Sequence, residues 1–352
     1  MNEERGALRQ AIIDTAADLF KAEVTPALLE SAERGEFPQA LWAEMAALGL
    51  PQASLSEQAG GLGSLRDAFA LLRPAGYHAL PLPLAETLLA GWLAEQAKLP
   101  LPEGPLSIAA GGKLRREGEG WTLTGTVRNV PWGRNAHLIL LAENEAGGEA
   151  LLALVPHGAA SVGRGHNLAG EPRDTVGFAA LPLGPDSVRP TTVDEAWMRH
   201  AGAAMRAAQM VGALEKALDQ TVLHATERVQ FGKPIGKFQA IQQMIAVLAN
   251  HTAAAIMAAD RALDALDGGD FAKLSAIAKL RVGEAAGDAG RSAHQVHGAM
   301  GFTQEHTLNY ATRRLWSWRD EFGSEAHWAA WLGEAALSAG ADRLWDFVGE
   351  AA

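Results

Sequence analysis

From Asp194 onward the apolar residues fall at helical spacing and keep it to the end of the chain. Ala207, Val211, Leu214, Leu218, Val222, Ala225 and Val229 step by threes and fours, which lays one apolar stripe along a helix of about seven turns. A stripe of that length demands partners of similar length. The following stretch, Phe238 to Ala259, runs 22 residues without a formal charge, long enough for a membrane span. Gln239, Gln242, Gln243, Asn250 and His251 interrupt it, while Ile241, Ile245, Leu248, Ile256 and Ala259 keep helical spacing. The pattern predicts a helix from about Lys237 to Leu266, buried inside a bundle and not spanning a membrane. Asp267-Gly268-Gly269 stops it, a third helix is expected from Asp270 to about Val296, and a fourth after Gly301. Long antiparallel helices joined by short turns make a four-helix bundle, assigned to residues 193–352.

Upstream the period changes twice. Glu3 to about Lys98 reads as helical, broken at Pro51 to Gly63, with Ser64 placed to cap the next helix. Prolines at 81, 83, 100, 102 and 105 then punctuate the chain. Between Leu106 and Val188 strand signals appear at Trp121–Gly125, Ala136–Leu141, Ala150–Val155 and Thr175–Phe178, separated by Gly, Pro and Asn turns. The expectation is an α+β chain, mainly α: an N-terminal helical domain over 1–105, a small barrel-like β-domain over 106–192, and the bundle. Hydrophobic residues make up 48% of the chain but aromatics only 6%, so alanine carries the apolar share, as suits close-packed helices.

Charge and composition exclude several functions. A net charge of -11, with no basic run to offset it, repels a phosphate backbone, so nucleic acid is not an expected partner. The absence of cysteine removes disulfides, thiolate nucleophiles and Cys-ligated metals. Met1 to Leu19 contains no apolar run of the signal-peptide kind, and a cytoplasmic location is expected.

Two segments carry recognition-type groups. The first runs Glu227-Arg228-Val229-Gln230-Phe231-Gly232-Lys233-Pro234-Ile235-Gly236-Lys237-Phe238-Gln239-Ala240-Ile241-Gln242. Arg228 offers a fork that suits a pyrophosphate, Gln230 and Gln239 offer amides for polar nucleotide edges, and Phe231 offers a flat apolar face. The plain structural reading is a surface salt bridge, a plug and a turn. The second segment, Gln295-Val296-His297-Gly298-Ala299-Met300-Gly301-Phe302-Thr303-Gln304-Glu305-His306, is a loop whose amides can face an anion. It lacks the preceding strand of a Rossmann fingerprint. His294 and His297, with His306 nearby, have no carboxylate at ligand spacing, and no metal site is expected. Gly111-Gly112-Lys113 lacks the rest of a P-loop.

Together, about 60 residues apart in a C-terminal bundle, these two segments resemble the acyl-CoA dehydrogenase family. Leu41 to Leu50 and Ser56 to Gly63 look like that family's N-terminal helices and Gly-rich loop, and the α, β, α order is the family's. The resemblance implies FAD as cofactor, an acyl-CoA thioester as substrate, and α,β-desaturation by α-proton abstraction with β-hydride transfer to flavin. It implies an electron-transfer flavoprotein or similar acceptor, and a homo- or hetero-oligomer arranged as a dimer of dimers. Carried over by position, Arg228, Gln230, Phe231 and Gln239 hold the ADP part of an FAD shared with a neighbouring subunit, with Gln295, Gly298 and Ser324 also at the cofactor.

The sequence departs from the family pattern where catalysis sits. The usual base is a glutamate directly before a Gly-Thr or Gly-Ser pair; here Phe322 precedes Gly323-Ser324, and Glu321 stands one place earlier. One residue turns a helical side chain by roughly 100°. Glu321 is the candidate base, with Asp320 and Glu325 weaker ones. A second family position for the base falls at Gly202-Ala203, where there is no carboxylate. The flavin-edge loop is replaced by Pro105 to Lys113, and the usual W-I-T/S element by Asn129 to Gly133, in which Trp132 is a candidate to cover a flavin ring. Two expectations stand together: an FAD-dependent acyl-CoA dehydrogenase with Glu321 as base, and a non-catalytic or half-catalytic FAD-cradling subunit of a heteromeric one.

Overall fold

A computed structural model of the chain describes residues 2–267, 269–303 and 305–349. These residues form two compact units, one of 1–16, 25–69 and 81–198, the other of 17–24, 70–80 and 199–352. The first unit holds the start of α1 (Asn2–Glu23), α2 (Pro26–Glu33), α3 (Gln39–Ala47), α4 (Leu65–Phe69) and α6 (Leu84–Gln96). Thr25 caps α2 through Leu28 N–H, and Ser64 caps α4 through Asp67 N–H.

The strands of this unit are β1 (Leu106–Glu117), β2 (Gly120–Pro131), β3 (His137–Asn144), β4 (Leu151–Val155), β5 (Ser161–Gly163), β6 (Arg173–Leu183) and β7 (Val188–Pro190). They form one sheet in the order β5-β6-β2-β1-β3-β4-β7, antiparallel except for the β1–β3 pair. The Thr87 hydroxyl bridges the N–H and C=O of Leu106, stitching α6 to the first strand. Gly111-Gly112 is a bulge in β1 between Ala110 and Lys113, and this breaks the strand alternation that sequence patterning relies on. Trp132, the candidate flavin cover, is only 6% exposed and lies edge-on to Phe37.

The second unit contains α5 (Leu72–Tyr77) and most of α7 (Glu195–Glu227), followed by α8 (Gln239–Asp264), α9 (Phe271–His297), α10 (Leu308–Trp318), α11 (Glu325–Ala339) and α12 (Leu344–Gly349). The fourth helix expected from the sequence is therefore interrupted over 319–324. Glycines set the crossing of α5 and α7: a Cβ on Gly76 would lie 1.9 Å from Gln209 O, and one on Gly212 1.9 Å from Arg73 O. Arg73 to Glu215 and the Tyr77 hydroxyl to Asp219 lock the same crossing.

The charge-free stretch departs from expectation. On α8 only Leu248, Thr252, Ala255, Ala259, Ala262 and Leu263 are buried, while Val247 and Met257 stand exposed. By length and composition α8 could cross a membrane. Leu248, Leu263 and the small residues form its buried side, with α9 packed against the helix, while Val247 and Met257 face outward, so helical spacing marked an apolar helix but not what covers it.

Candidate functional site

Both recognition segments fold in the second unit. At the end of α7, Arg228 N–H bonds His224 O, so His224 and Arg228 share one helix face. The chain then makes a two-stranded hairpin, β8 (Val229–Gln230) with β9 (Lys233–Pro234). Its central residues, Phe231 and Gly232, have φ of 52° and 78°, the type I′ arrangement in which both are left-handed. Glycine adopts this freely, whereas a phenylalanine there costs about 1 kcal/mol. The outcome is a Phe231 ring 90% exposed to solvent, held edge-on to Phe238. Backbone strain that displays an aromatic ring to solvent marks a binding site better than a packing need.

At the end of α9 the two glycines serve different purposes. Gly298 has φ 62° and ψ -145°, and a Cβ there would meet nothing within 4 Å; at Gly301 a Cβ would lie 2.9 Å from His297 Cβ. The first turns the chain and leaves open space, and the second lets it pack down.

Hairpin and glycine loop line one cavity of about 650 Å³, of the size that takes a small-molecule ligand. Of the expected residues, Arg228, Gln230, Phe231, Gln295 and Gly298 line it. Gln239 opens α8 on an exposed position outside the lining, and Ser324 lies elsewhere, as N-cap of α11. Arg228 is exposed and has no ion pair among the described residues. Its charge is therefore available to an anion.

Sequence reading missed His224, Ile235, Ile241 and Met300 in the same lining; the i, i+4 relation of His224 to Arg228 was the available signal. His297, also in the lining, donates from Nδ1 to Ala293 O at 2.7 Å, which makes Nε2 the acceptor, and Nε2 is buried with no hydrogen-bond partner among the described residues. The His224 ring stacks on it at 4.4 Å and His306 meets it edge-on at 4.7 Å. Burial, aided by the neighbouring imidazoles, pushes the His297 pKa down to about 4; burial also lowers His224 and His306. The cluster is neutral at pH 7.

Glu321 lies in the α10–α11 connection, apart from the cavity lining. Its carboxylate pairs with Arg206 Nε at 2.7 Å, and Arg206 is fully buried. Arg206 also approaches the faces of Trp318 and Phe322. Phe322, next in the chain after Glu321, has φ 56°. A Cβ on Gly202 would fall 2.2 Å from the Phe322 ring, so the aromatic ring lies directly on the glycine. Asp320 borders Lys279, and Glu325 pairs with Arg319 at 2.8 Å.

A model of the acyl-CoA dehydrogenase N-terminal domain matches residues 7–85, and a model of the C-terminal domain matches 197–325, together more than half the chain. The chain belongs to the acyl-CoA dehydrogenase family. Among its relatives is the acyl-CoA dehydrogenase IpdE2 of Mycolicibacterium smegmatis, 27% identical over 89% of this chain and 93% of that one. Among solved structures, a variant of the Tcur3481–Tcur3483 steroid ACAD is 26% identical with a TM-score of 0.82, covering 96% of this chain and 99% of that one. The ChsE4–ChsE5 complex of Mycobacterium tuberculosis shares the fold at a TM-score of 0.83 and 21% identity, over 94% of this chain and 97% of that one. This acyl-CoA dehydrogenase therefore has the family's fold of helices, sheet and bundle over the matched residues.

Proposed function

We propose that this chain is an FAD-dependent acyl-CoA dehydrogenase subunit that holds the ADP half of FAD in the cavity between hairpin and glycine loop. The observation that carries the reading is the convergence of two segments about 60 residues apart on one cavity around the available charge of Arg228. The residues suit the group. Arg228 can grip a pyrophosphate by its fork, Gly298 leaves room for close approach, Phe231 gives a flat apolar face, and the unpartnered His297 Nε2 offers an acceptor to a base or ribose donor. When bound, FAD supplies the acceptor for the substrate's β-hydride.

On this reading Glu321 takes the α-proton of an acyl-CoA, with the Arg206 guanidinium compensating its charge before transfer. Electrons leave to an electron-transfer flavoprotein or a similar acceptor. The outward apolar side of α8 supports assembly with a second subunit, a dimer of dimers in the family's manner. The test is a visible spectrum of the purified protein: flavin absorbance that bleaches anaerobically with an acyl-CoA supports the reading. Glu321→Gln with turnover intact refutes the assignment of the base.

A second reading is favoured by Phe322, seated on Gly202 where the family places its carboxylates. There the chain is the cradling half of a heteromer and a partner chain carries the base. This reading fits the two-component names of its structural relatives. Coexpression with a second dehydrogenase-like chain decides it: flavin and turnover that appear only in the pair support it, and full turnover by the isolated chain rules it out.

A further inference from the structure

The α10–α11 connection lies along one stripe of α9. Lys279, Gly283, Gly287 and Gly290 recur at three- and four-residue steps and so share a face. A Cβ on Gly283 would lie 2.2 Å from Glu325 Oε1 at the start of α11, one on Gly290 3.0 Å from Trp316 Nε1 near the end of α10, and one on Gly287 3.5 Å from the Arg319 guanidinium between them, so the connection and the helix ends that flank it lie close on α9. Within this glycine stripe Lys279 is the one long side chain. It is 1% exposed, and its ammonium donates to two main-chain oxygens, Arg319 O at 2.5 Å and Gly323 O at 2.9 Å. Those carbonyls bracket Glu321 and the left-handed Phe322.

We propose that Lys279 is a positioning residue for Glu321, clamping the carbonyls on either side of it so that the turn from Arg319 to Gly323 holds a single shape. A five-residue turn with a non-glycine residue at positive φ relaxes unless its surroundings over-determine it. Two charge-assisted hydrogen bonds from a buried ammonium, each stronger than a neutral one, supply that determination. The titratable and charged groups that act on Lys279 are Arg206 of α7, Asp320 and Glu321 of the connection, and Glu325 and His327 of α11. Burial outweighs the three carboxylates and lowers the Lys279 pKa to about 8. The clamp therefore weakens within a workable pH range. The catalytic side of the inference rests on the reading of Glu321 as base, whereas the clamp itself does not.

The experiment compares amide exchange of the full chain, wild type and Lys279→Met, at pH 7 and 9 after correction for intrinsic rates. Expected at pH 7 is exchange at least about tenfold faster in Lys279→Met, confined to 319–324, as loss of charged hydrogen bonds implies. The same segment in wild type loosens as the pH passes about 8. Unchanged exchange in 319–324 overturns the proposal; if Lys279→Met does not fold, a wild-type segment that stays equally protected from pH 7 to 9 overturns it. In turnover, Lys279→Met lowers kcat at least about tenfold with KM within about twofold, and Lys279→Arg, which stays charged, loses the fall in kcat above pH 8. A wild type without turnover removes the base assignment of Glu321 while the exchange result still decides the clamp.

Discussion

Acidification acts on the cofactor cavity through His297 with a defined sign and size. The folded protein holds its pKa near 4, against an ordinary 6.5, because the ring is buried among other imidazoles. The depressed value means that the unfolded chain takes up the proton first. The stabilisation is thus fully present above pH 6.5 and is lost as the pH falls toward 4. Across the whole window it amounts to about 3 kcal/mol, and between pH 7 and 5 to about 2 kcal/mol. Replacing His297 by Phe keeps a flat ring against His224 and removes the titration. Urea denaturation of both proteins at pH 7, 6 and 5 measures the difference. Wild type should lose about 2 kcal/mol relative to His297→Phe on going to pH 5. His78, also held near pKa 4, titrates in both proteins and drops out. A difference that stays constant from pH 7 to 5 refutes the burial argument.

The other expected outcomes separate binding from folding. Arg228→Ala should leave the melting temperature of the apoprotein unchanged and lower FAD affinity at least about tenfold, read as flavin absorbance per chain, since a charged bidentate contact is lost; an equally yellow protein contradicts the cradle. Phe231→Gly should stabilise the hairpin of the apoprotein by about 1 kcal/mol through relief of the left-handed strain while weakening flavin retention; an apoprotein that loses stability would make Phe231 a packing residue. Gly212→Ala forces a methyl onto Arg73 O and should cost about 3 kcal/mol or more, seen as a lowered thermal transition. Gly333→Ala, in α11 with open space beside it, should instead gain up to about 1 kcal/mol.

Local features of this chain were legible from sequence and non-local ones were not. The hairpin with Arg228, Gln230 and Phe231 and the loop at Gly298 are written in contiguous residues, and turn chemistry and helix ends reveal them. The strands β2, β3, β4 and β6 were visible by composition. β1 was not, because its Gly111-Gly112 bulge interrupts the alternation and makes twelve residues of strand read as a loop. Helical spacing showed that α8 has an apolar face, but spacing carries no information on whether the cover belongs to the same chain. The Lys279 clamp and the Arg206–Glu321 pair join residues 40 and 115 positions apart, contacts that single-sequence patterning cannot see.

The exposure of α8 and that of the cradle are two aspects of one design. The hairpin that presents Arg228 and Phe231 is the connection between α7 and α8, so whatever packs on the outward side of α8 also fixes the entry to the cavity. Arg228, Gln230 and Phe231 are all exposed in the single chain, and a cofactor gripped only by them stays largely in water. In a chain of net charge -11, one arginine without further enclosure gives a weak hold on an anionic nucleotide, because solvent screens it. A second subunit covering α8 adds burial and desolvation to the same contacts. On the proposed reading, assembly and cofactor binding are therefore linked equilibria: whatever binds the assembled state stabilises it by mass action. Flavin added to the apoprotein should shift the subunits toward the oligomer, and dilution should release flavin in step with dissociation.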